Sequence, residues 1–242
     1  MPSAASPTAS RVETLAFACL LAGGCAIAFA PILVRLSDAG PVASAFWRTA
    51  LAAPLLWAWA LRADPKPARV SIGPLVGAGV FFACALGVWH WSIMFTSVAN
   101  STLLANLAPI FVTLAGWLFY RQRVTRTFLV GMVTAIAGMF ILVGPNFAIG
   151  GTRLAGDALG ALTAVFYAGY MLSIKSARDA GASTARLMAW STTITALALL
   201  PAALASPQPM LPQGAQGWLV LLALAVVTQV MGQGLIAYAF AH

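Results

Sequence analysis

The sequence predicts an all-α membrane protein with about eight transmembrane helices. Of its 242 residues, 61% are hydrophobic and only 7% are charged, whereas soluble globular proteins carry about 25% charged residues. The apolar residues form eight segments, each long enough to cross a hydrocarbon core of about 30 Å as a helix. A soluble core cannot hide this much apolar surface, so the lipid bilayer is the predicted partner of most of the chain.

Short polar stretches rich in proline and glycine separate most of these segments. Such breaks lie at 38–41, 64–67, 144–151 and 206–209, where turn-forming residues cluster. The break at 97–100 is shorter and uncharged. The predicted helices span residues 14–36, 41–62, 73–95, 99–119, 127–144, 155–175, 184–205 and 215–240.

The distribution of lysine and arginine predicts a multi-pass protein of the inner membrane with a cytoplasmic N-terminus. With that orientation, ten basic residues fall on the cytoplasmic side and only Arg35 and Arg153 fall outside, as the positive-inside rule expects. The cytoplasmic set is Arg11, Arg62, Lys66, Arg69, Arg121, Arg123, Arg126, Lys175, Arg178 and Arg186. Without the break at 97–100, an odd number of helices would precede Arg121, and the arginines that follow would fall on the outer side. The bias therefore supports this break.

A weak internal repeat predicts two inverted halves. The sequence SDAGP at 37–41 returns as RDAGA at 178–182, and each copy precedes a helix. Five helices per copy is an odd number, so the second copy lies upside down, a common plan of secondary transporters. The predicted organisation is a polar tail at 1–13, a first five-helix repeat at 14–144, and three helices of a second repeat at 155–242. Two further helices would complete that repeat, so a fragment, a truncated product and a natural short variant are the open alternatives.

Two charged or titratable side chains lie inside apolar helices. Arg48 is expected either to bind an anionic group of a substrate or to extend towards the lipid headgroups, because an unpaired membrane charge is costly. His90, between Trp89 and Trp91, is expected either to relay protons or to hydrogen-bond a neighbouring helix. At least one of these tryptophans is expected in the interfacial belt.

Polar residues at helical spacing complete the predicted site. Asn106 and Pro109 share a face of the fourth helix, where proline frees a backbone carbonyl. Gln229 and Gln233 share a face of the eighth helix and are expected to face the bundle, because lipid-facing amides are costly. The predicted substrate-binding set is Trp47, Arg48, His90, Trp91, Asn106, Pro109, Tyr167, Tyr170, Gln229 and Gln233.

The sequence contains no motif for ATP hydrolysis, for membrane-enzyme catalysis or for metal binding. The aspartates lie in connections or at helix ends, and the chain has no GxxxxGK[ST], HExxH or GxSxG motif, which argues against ATP-driven transport and membrane enzymes. The three cysteines form no CxxC pair, so neither a metal site nor a disulfide framework is indicated. We therefore predict no catalytic residue, no cofactor, no metal and no nucleic-acid partner.

The arrangement resembles the drug/metabolite transporter superfamily, in particular its EamA-type members with ten helices. The residues that carry the resemblance are Pro31 and Arg35, the run 45–48 (AFWR), the runs 89–92 (WHWS) and 96–100 (TSVAN), the run 103–109 (LLANLAP), Gly232-Gln233 and the run 238–240 (YAF). The sequence departs from the family at Gln122, where a Gly-Glu pair is often found. The resemblance implies secondary transport of small metabolites, such as amino acids or related compounds, by alternating access.

Two alternatives stand beside transport: a membrane scaffold or subunit that transports nothing, and a nonfunctional transporter fragment. A transporter should bring Arg48, Asn106, Gln229 and Gln233 to one central cavity, whereas a scaffold would bury them in separate helix contacts. The oligomeric state is left open, with a homodimer as one option.

Overall fold

The computed structural model describes residues 7–65, 71–121, 124–143 and 153–239, and within these ranges the chain forms helices and their connections and no strand. Six helices there are long and apolar enough to cross a membrane. The all-α membrane class is therefore confirmed, whereas the count of eight spans and the inverted repeat stay predictions. Several residues used above lie outside the described ranges, namely Lys66, Arg69, Gln122, Arg123, Phe240 and the break at 144–151.

The helices follow one another with short connections. Their bounds are α1 (Pro7–Ala28), α2 (Ala30–Leu36), α3 (Pro41–Ala63), α4 (Ile72–Phe95), α5 (Val98–Ala105), α6 (Ala108–Tyr120), α7 (Arg126–Val143), α8 (Arg153–Asp179), α9 (Thr184–Ala205), α10 (Ala215–Ala223), a π-helical segment (Leu224–Gln233) and α11 (Gly234–Ala239). The second, third, fifth, sixth and seventh predicted helices each correspond to one helix, α3, α4, α7, α8 and α9.

Proline divides two of the predicted helices. The first breaks at Phe29 between α1 and α2, with Pro31 in the first turn of α2, and the fourth breaks at Asn106, with Pro109 in the first turn of α6. Proline lacks an N–H and its ring clashes with the carbonyl one turn back, which favours a break on its N-terminal side. Pro54 and Pro201 are nevertheless accommodated inside α3 and α9. Helix α1 also begins at Pro7, inside the predicted tail, because proline is accommodated in the first turn.

The eighth predicted helix changes its winding along its length. Between α10 and α11, the ten residues Leu224–Gln233 form a π-helix, a rare geometry that is frequent at functional sites. Gln229 and Gln233 lie in this segment and are both buried, as the sequence predicted for their side chains. The apolar periodicity of the segment gave no sign of the altered winding.

Small residues allow close approach of α8 to the helices around it. Gly156, Gly160, Ala164 and Ala168 are buried at four-residue spacing, the pattern that lets membrane helices pack closely. A Cβ on Gly156 would lie 2.7 Å from the backbone nitrogen of Thr96. The start of α8 therefore touches the junction of α4 and α5 directly, backbone against backbone.

Gly156→Ala should destabilise the protein. The added methyl would meet backbone atoms that cannot rotate away, and overpacking of this kind costs about 1–3 kcal/mol. Each kcal/mol lowers the melting temperature of a domain of this size by about 2–4 °C. Thermal unfolding of the purified protein measures the shift. Gly131→Ala on α7 is the matched control, because nothing lies within 4 Å of its added Cβ; equal melting of both variants would contradict the packing argument.

Candidate functional site

A cavity of about 380 Å³, which we term the central cavity, lies between the helices. Ligand pockets for small molecules are commonly about 300–1,000 Å³ in volume and mostly apolar, with a few polar groups that orient the ligand. Its lining comes from α1 through α5, α8, the π-helical segment and α11, and consists of Gly24, Ile27, Ala28, Ala30, Pro31, Arg48, Phe82, Ala85, Leu86, Trp89, Thr102, Ala105, Asn106, Thr163, Tyr167, Gln233 and Ile236. The cavity is therefore of a size and composition that suit a small metabolite.

Arg48 supplies a fixed positive charge to the central cavity. It lies in α3, is only 3% exposed, and its Nε donates a hydrogen bond to Oε1 of Gln229 at 3.1 Å. Gln229 in turn donates from Nε2 to the hydroxyl of Thr192 on α9 at 3.2 Å. Within the described residues, Arg48 has no other hydrogen bond and no ion pair, and no acidic side chain lines the cavity. The guanidinium is thus bonded to one amide, which a threonine hydroxyl orients in turn, and no acidic group of the described residues neutralises its charge.

Aromatic and amide groups form another part of the cavity wall. The Nε2 group of Gln233 lies 3.5 Å from the hydroxyl of Tyr167, and Asn106 lines the same cavity at the break before α6. Tyr170 is buried behind this wall and stacks on Phe82, with ring centroids 4.6 Å apart. The wall combines apolar rings with hydroxyl and amide groups, so it can contact both the hydrocarbon and the polar parts of a solute.

His90 lies beside the central cavity rather than in its lining. It is fully buried, and its Nδ1 lies 2.8 Å from the carbonyl oxygen of Leu86, to which it donates. Its Nε2 has no partner among the described residues. His90 lines a neighbouring cavity of about 410 Å³, together with Arg35 and Asp38. A proton relay through His90 stays a prediction.

The structure places three members of the predicted set away from the central cavity. Trp91 is 56% exposed on α4, and Pro109 is exposed on α6, where its carbonyl accepts from Thr113. Trp47 donates from Nε1 to the carbonyl of Met210 at 2.9 Å. Any role of these three in solute binding stays a prediction.

Sequence reasoning missed part of the lining. Phe82, Leu86 and Trp89 form a stripe along α4 that faces the cavity, and their spacing of four and three residues was a usable signal. Thr192 was not distinguishable from other threonines of apolar helices, because its role comes from Gln229 on another segment.

A set of contacts that we term the Trp47 clamp joins the connection before α3 to the connection before α10. The backbone nitrogen of Gly40 donates to the carbonyl of Pro209 at 2.8 Å, and that of Gln213 donates to Oδ2 of Asp38 at 2.7 Å. The Trp47 ring meets that of Trp218 edge to face, with centroids 5.0 Å apart. The clamp consists of Asp38, Gly40 and Trp47 with Pro209, Met210, Gln213 and Trp218.

A second set, the Trp57 clamp, joins the other end of α3 to α9. The hydroxyl of Ser183 donates to Oδ2 of Asp64, and Nη2 of Arg186 donates to the Asp64 carbonyl at 3.0 Å. Trp57 donates to Thr193 at 3.0 Å, and Arg186 lies over its ring at 5.6 Å. The clamp consists of Trp57 and Asp64 with Ser183, Arg186, Trp190 and Thr193.

These helices and this cavity define a polytopic membrane protein with a buried, solute-sized site that carries one positive charge. The chain belongs to the EamA-like transporter family, whose sequence profile matches residues 11–144. It is therefore a multi-pass membrane transporter of small metabolites, which sits in the lipid bilayer and binds small-molecule substrates.

Known proteins show related sequences and the same fold. The pseudopaline exporters CntI of Pseudomonas aeruginosa strains UCBPP-PA14 and PAO1 are each 27% identical over 199 residues, covering 81% of this chain and 67% of theirs. Solute carrier family 35 member G1 of Mus musculus is 29% identical over 72 residues, which are 30% of this chain and 20% of that protein. One crystal structure superposes with a TM-score of 0.75 and 17% identity, over 96% of this chain and 79% of the other, a likeness of fold alone.

Proposed function

We propose that this protein is a secondary transporter that moves small metabolites with a carboxylate group, such as amino acids or related compounds, across the inner membrane by alternating access. The observation that carries the proposal is the charge of Arg48, buried at the central cavity without an acidic partner among the described residues. A charge at membrane depth is costly and usually marks a substrate pathway. A solute carboxylate would neutralise it through charge-assisted hydrogen bonds.

The convergence of polar residues supports transport over a scaffold. Arg48, Asn106 and Gln233 line one cavity, and Gln229 bonds directly to Arg48. A scaffold needs only separate pairs of buried polar groups, and no feature of the cavity favours that reading. The N-terminus is proposed to be cytoplasmic, on the strength of the lysine and arginine bias.

Helix pairing supports two inverted halves. Helix α4 packs on α8, and α1 packs on the π-helical segment and α11. The third predicted span of each half therefore packs on the first predicted span of the other half. Helix α3 packs on α9, which pairs the second span of each half with its counterpart. This reciprocal pattern is what a two-fold axis in the membrane plane would produce.

The two clamps supply contacts that alternating access would break in turn. Each joins the proposed first half to the second, one at each end of α3. Rocking of the halves opens one end of the cavity while the other remains closed. We propose that the Trp47 clamp closes the outer end and the Trp57 clamp the cytoplasmic end.

Transport by the purified protein in lipid vesicles tests this function. Solid-supported membrane electrophysiology would compare dicarboxylates with their neutral diamide analogues. The acids should generate transport currents that the amides do not, because only a carboxylate pairs with Arg48. Equal responses to acids and amides, or no response above empty vesicles, would contradict the proposal.

His90→Phe should flatten the pH profile of transport. His90 lines a cavity shared with Arg35 and Asp38, and its Nε2 has no hydrogen-bond partner in the described part of the chain, so we propose that this nitrogen takes up and releases the proton. Initial rates between pH 5 and 8, the interval in which an ordinary histidine titrates, measure the effect. An unchanged profile would reject a proton relay through His90 and leave substrate binding at Arg48 untouched.

A further inference from the structure

We propose that a further cavity, which we term the arginine vestibule, is a separate solute-binding site for a carboxylate that also carries a hydrogen-bond donor, such as a hydroxy acid. This cavity measures about 840 Å³. Its lining consists of Pro31, Arg35, Met94, Phe95, Thr96, Ser97, Val98, Ala99, Asn100, Thr102 and Arg153. Onward transport of the bound solute rests on the proposed function, whereas binding in the vestibule does not.

Two arginines provide the anion-binding part of the vestibule. Arg35 lies in the last turn of α2 and Arg153 at the first residue of α8. Both are exposed, and neither has a hydrogen bond or an ion pair within the described ranges. Guanidinium groups bind carboxylates through two parallel hydrogen bonds. Two such groups around one cavity favour an anion over a neutral or cationic solute.

A buried amide provides the second, independent part. Asn100 is 1% exposed and lines the vestibule, yet its Oδ1 has no hydrogen-bond partner among the described residues. Its Nδ2 lies 3.5 Å from Oδ1 of Asp157, which also accepts from the Thr96 hydroxyl at 2.7 Å. Because the NH₂ group of Asn100 lies towards the carboxylate of Asp157, the amide oxygen of Asn100 remains an acceptor without a donor. A buried acceptor without a partner is costly, so a hydroxyl or amine of the solute would satisfy it.

The vestibule and the central cavity share part of their lining. Pro31 and Thr102 line both, and the hydroxyl oxygen of Thr102 is buried without a partner in the described part of the chain. A hydroxyl both donates and accepts hydrogen bonds. Thr102 can therefore contact a solute in either cavity, and the vestibule would hold the solute beside its route to Arg48.

Equilibrium binding of L-malate and succinate tests the assignment, because the two dianions differ by one hydroxyl. The measurements use calorimetry on the protein in nanodiscs, in an Arg48→Gln background that removes the charge of the central cavity. Malate should bind about fivefold or more tightly than succinate, the effect of one hydrogen bond to an otherwise unsatisfied buried group. Asn100→Leu should bring this ratio close to one, and Arg35→Gln with Arg153→Gln should weaken both ligands about tenfold.

Two further variants keep the result interpretable. Thr102→Val keeps the shape of the side chain and should weaken malate binding, which gives a second readout if Asn100→Leu misfolds. Ser101→Ala is the matched control, because Ser101 is equally buried with an unpartnered hydroxyl but does not line the vestibule.

Each outcome decides between the two proposals. Equal binding of malate and succinate by the Arg48→Gln protein, or malate selectivity that survives Asn100→Leu, would overturn the vestibule. Selective malate binding together with equal transport currents for acids and amides would leave the vestibule standing and overturn the proposed function.

Discussion

Arg48→Gln is expected to reduce transport of an acid substrate by about 10- to 100-fold while the protein still folds and inserts. Hydrogen bonds to charged groups contribute about 1.5–3 kcal/mol, and each 1.4 kcal/mol is a factor of ten in affinity. Glutamine can still reach a neighbouring amide but carries no charge for a carboxylate. Initial uptake rates in vesicles measure the loss, and size-exclusion chromatography with thermal unfolding checks the fold.

Two companion variants separate charge from shape. Arg62→Gln removes an exposed arginine from the same helix and should leave transport near the wild-type rate. Arg48→Lys keeps the charge but loses the planar donor pair, so it should retain part of the activity. Wild-type rates in Arg48→Gln, or equal losses in Arg48→Gln and Arg62→Gln, would contradict a substrate contact at Arg48.

The burial of Arg48 agrees with one of the two environments that the sequence allowed, because a charge within an apolar helix needs either a cavity or the lipid headgroups. The same reasoning applied to Gln229 and Gln233, whose amides were expected to face the bundle and are both buried. Composition and segment length sufficed for the all-α membrane class, because a helix must satisfy its own backbone in lipid. In each case a single segment contained the physical constraint.

Contacts between residues of two different helices could not be predicted from the sequence. Trp47 was expected beside the substrate, yet its indole bonds to the carbonyl of Met210, 163 positions away along the chain. Trp91 follows His90 directly, and the turn of the helix that buries His90 leaves Trp91 exposed. Whether a polar side chain reaches the cavity depends on rotation of its helix about its axis, and that rotation is decided by packing against neighbours.

The positions at which helices break were predictable only in part. Pro31 and Pro109 were visible in the sequence, and α1 and α5 end three and four residues before them. Pro54 and Pro201 lie inside α3 and α9 without a break, so the proline rule alone does not predict where the helices divide. The π-helical winding of Leu224–Gln233 has no comparable marker. That segment packs against α1, α2 and α3, so its geometry depends on several neighbours at once.

Cross-linking the Trp57 clamp is expected to stop transport completely and reversibly. Asp64→Cys and Ser183→Cys would place thiols at two positions whose side chains are hydrogen-bonded, within reach of a short bifunctional methanethiosulfonate reagent. The background would carry alanine at the native Cys19, Cys25 and Cys84, all of which are free thiols. Transport should fall to that of empty vesicles and return when a reducing agent cleaves the link.

The matched control for this arrest joins two residues of one helix. Lys175 and Asp179 form an ion pair of 2.9 Å within α8, so a link between Lys175→Cys and Asp179→Cys connects no element of the first half to the second. Rocking of the halves would stretch the Asp64–Ser183 link but leave the control link unaffected. The control should therefore retain transport after cross-linking. Undiminished transport in a fully cross-linked Asp64→Cys, Ser183→Cys protein would mean that this end of the cavity does not open, and alternating access through the Trp57 clamp would be wrong.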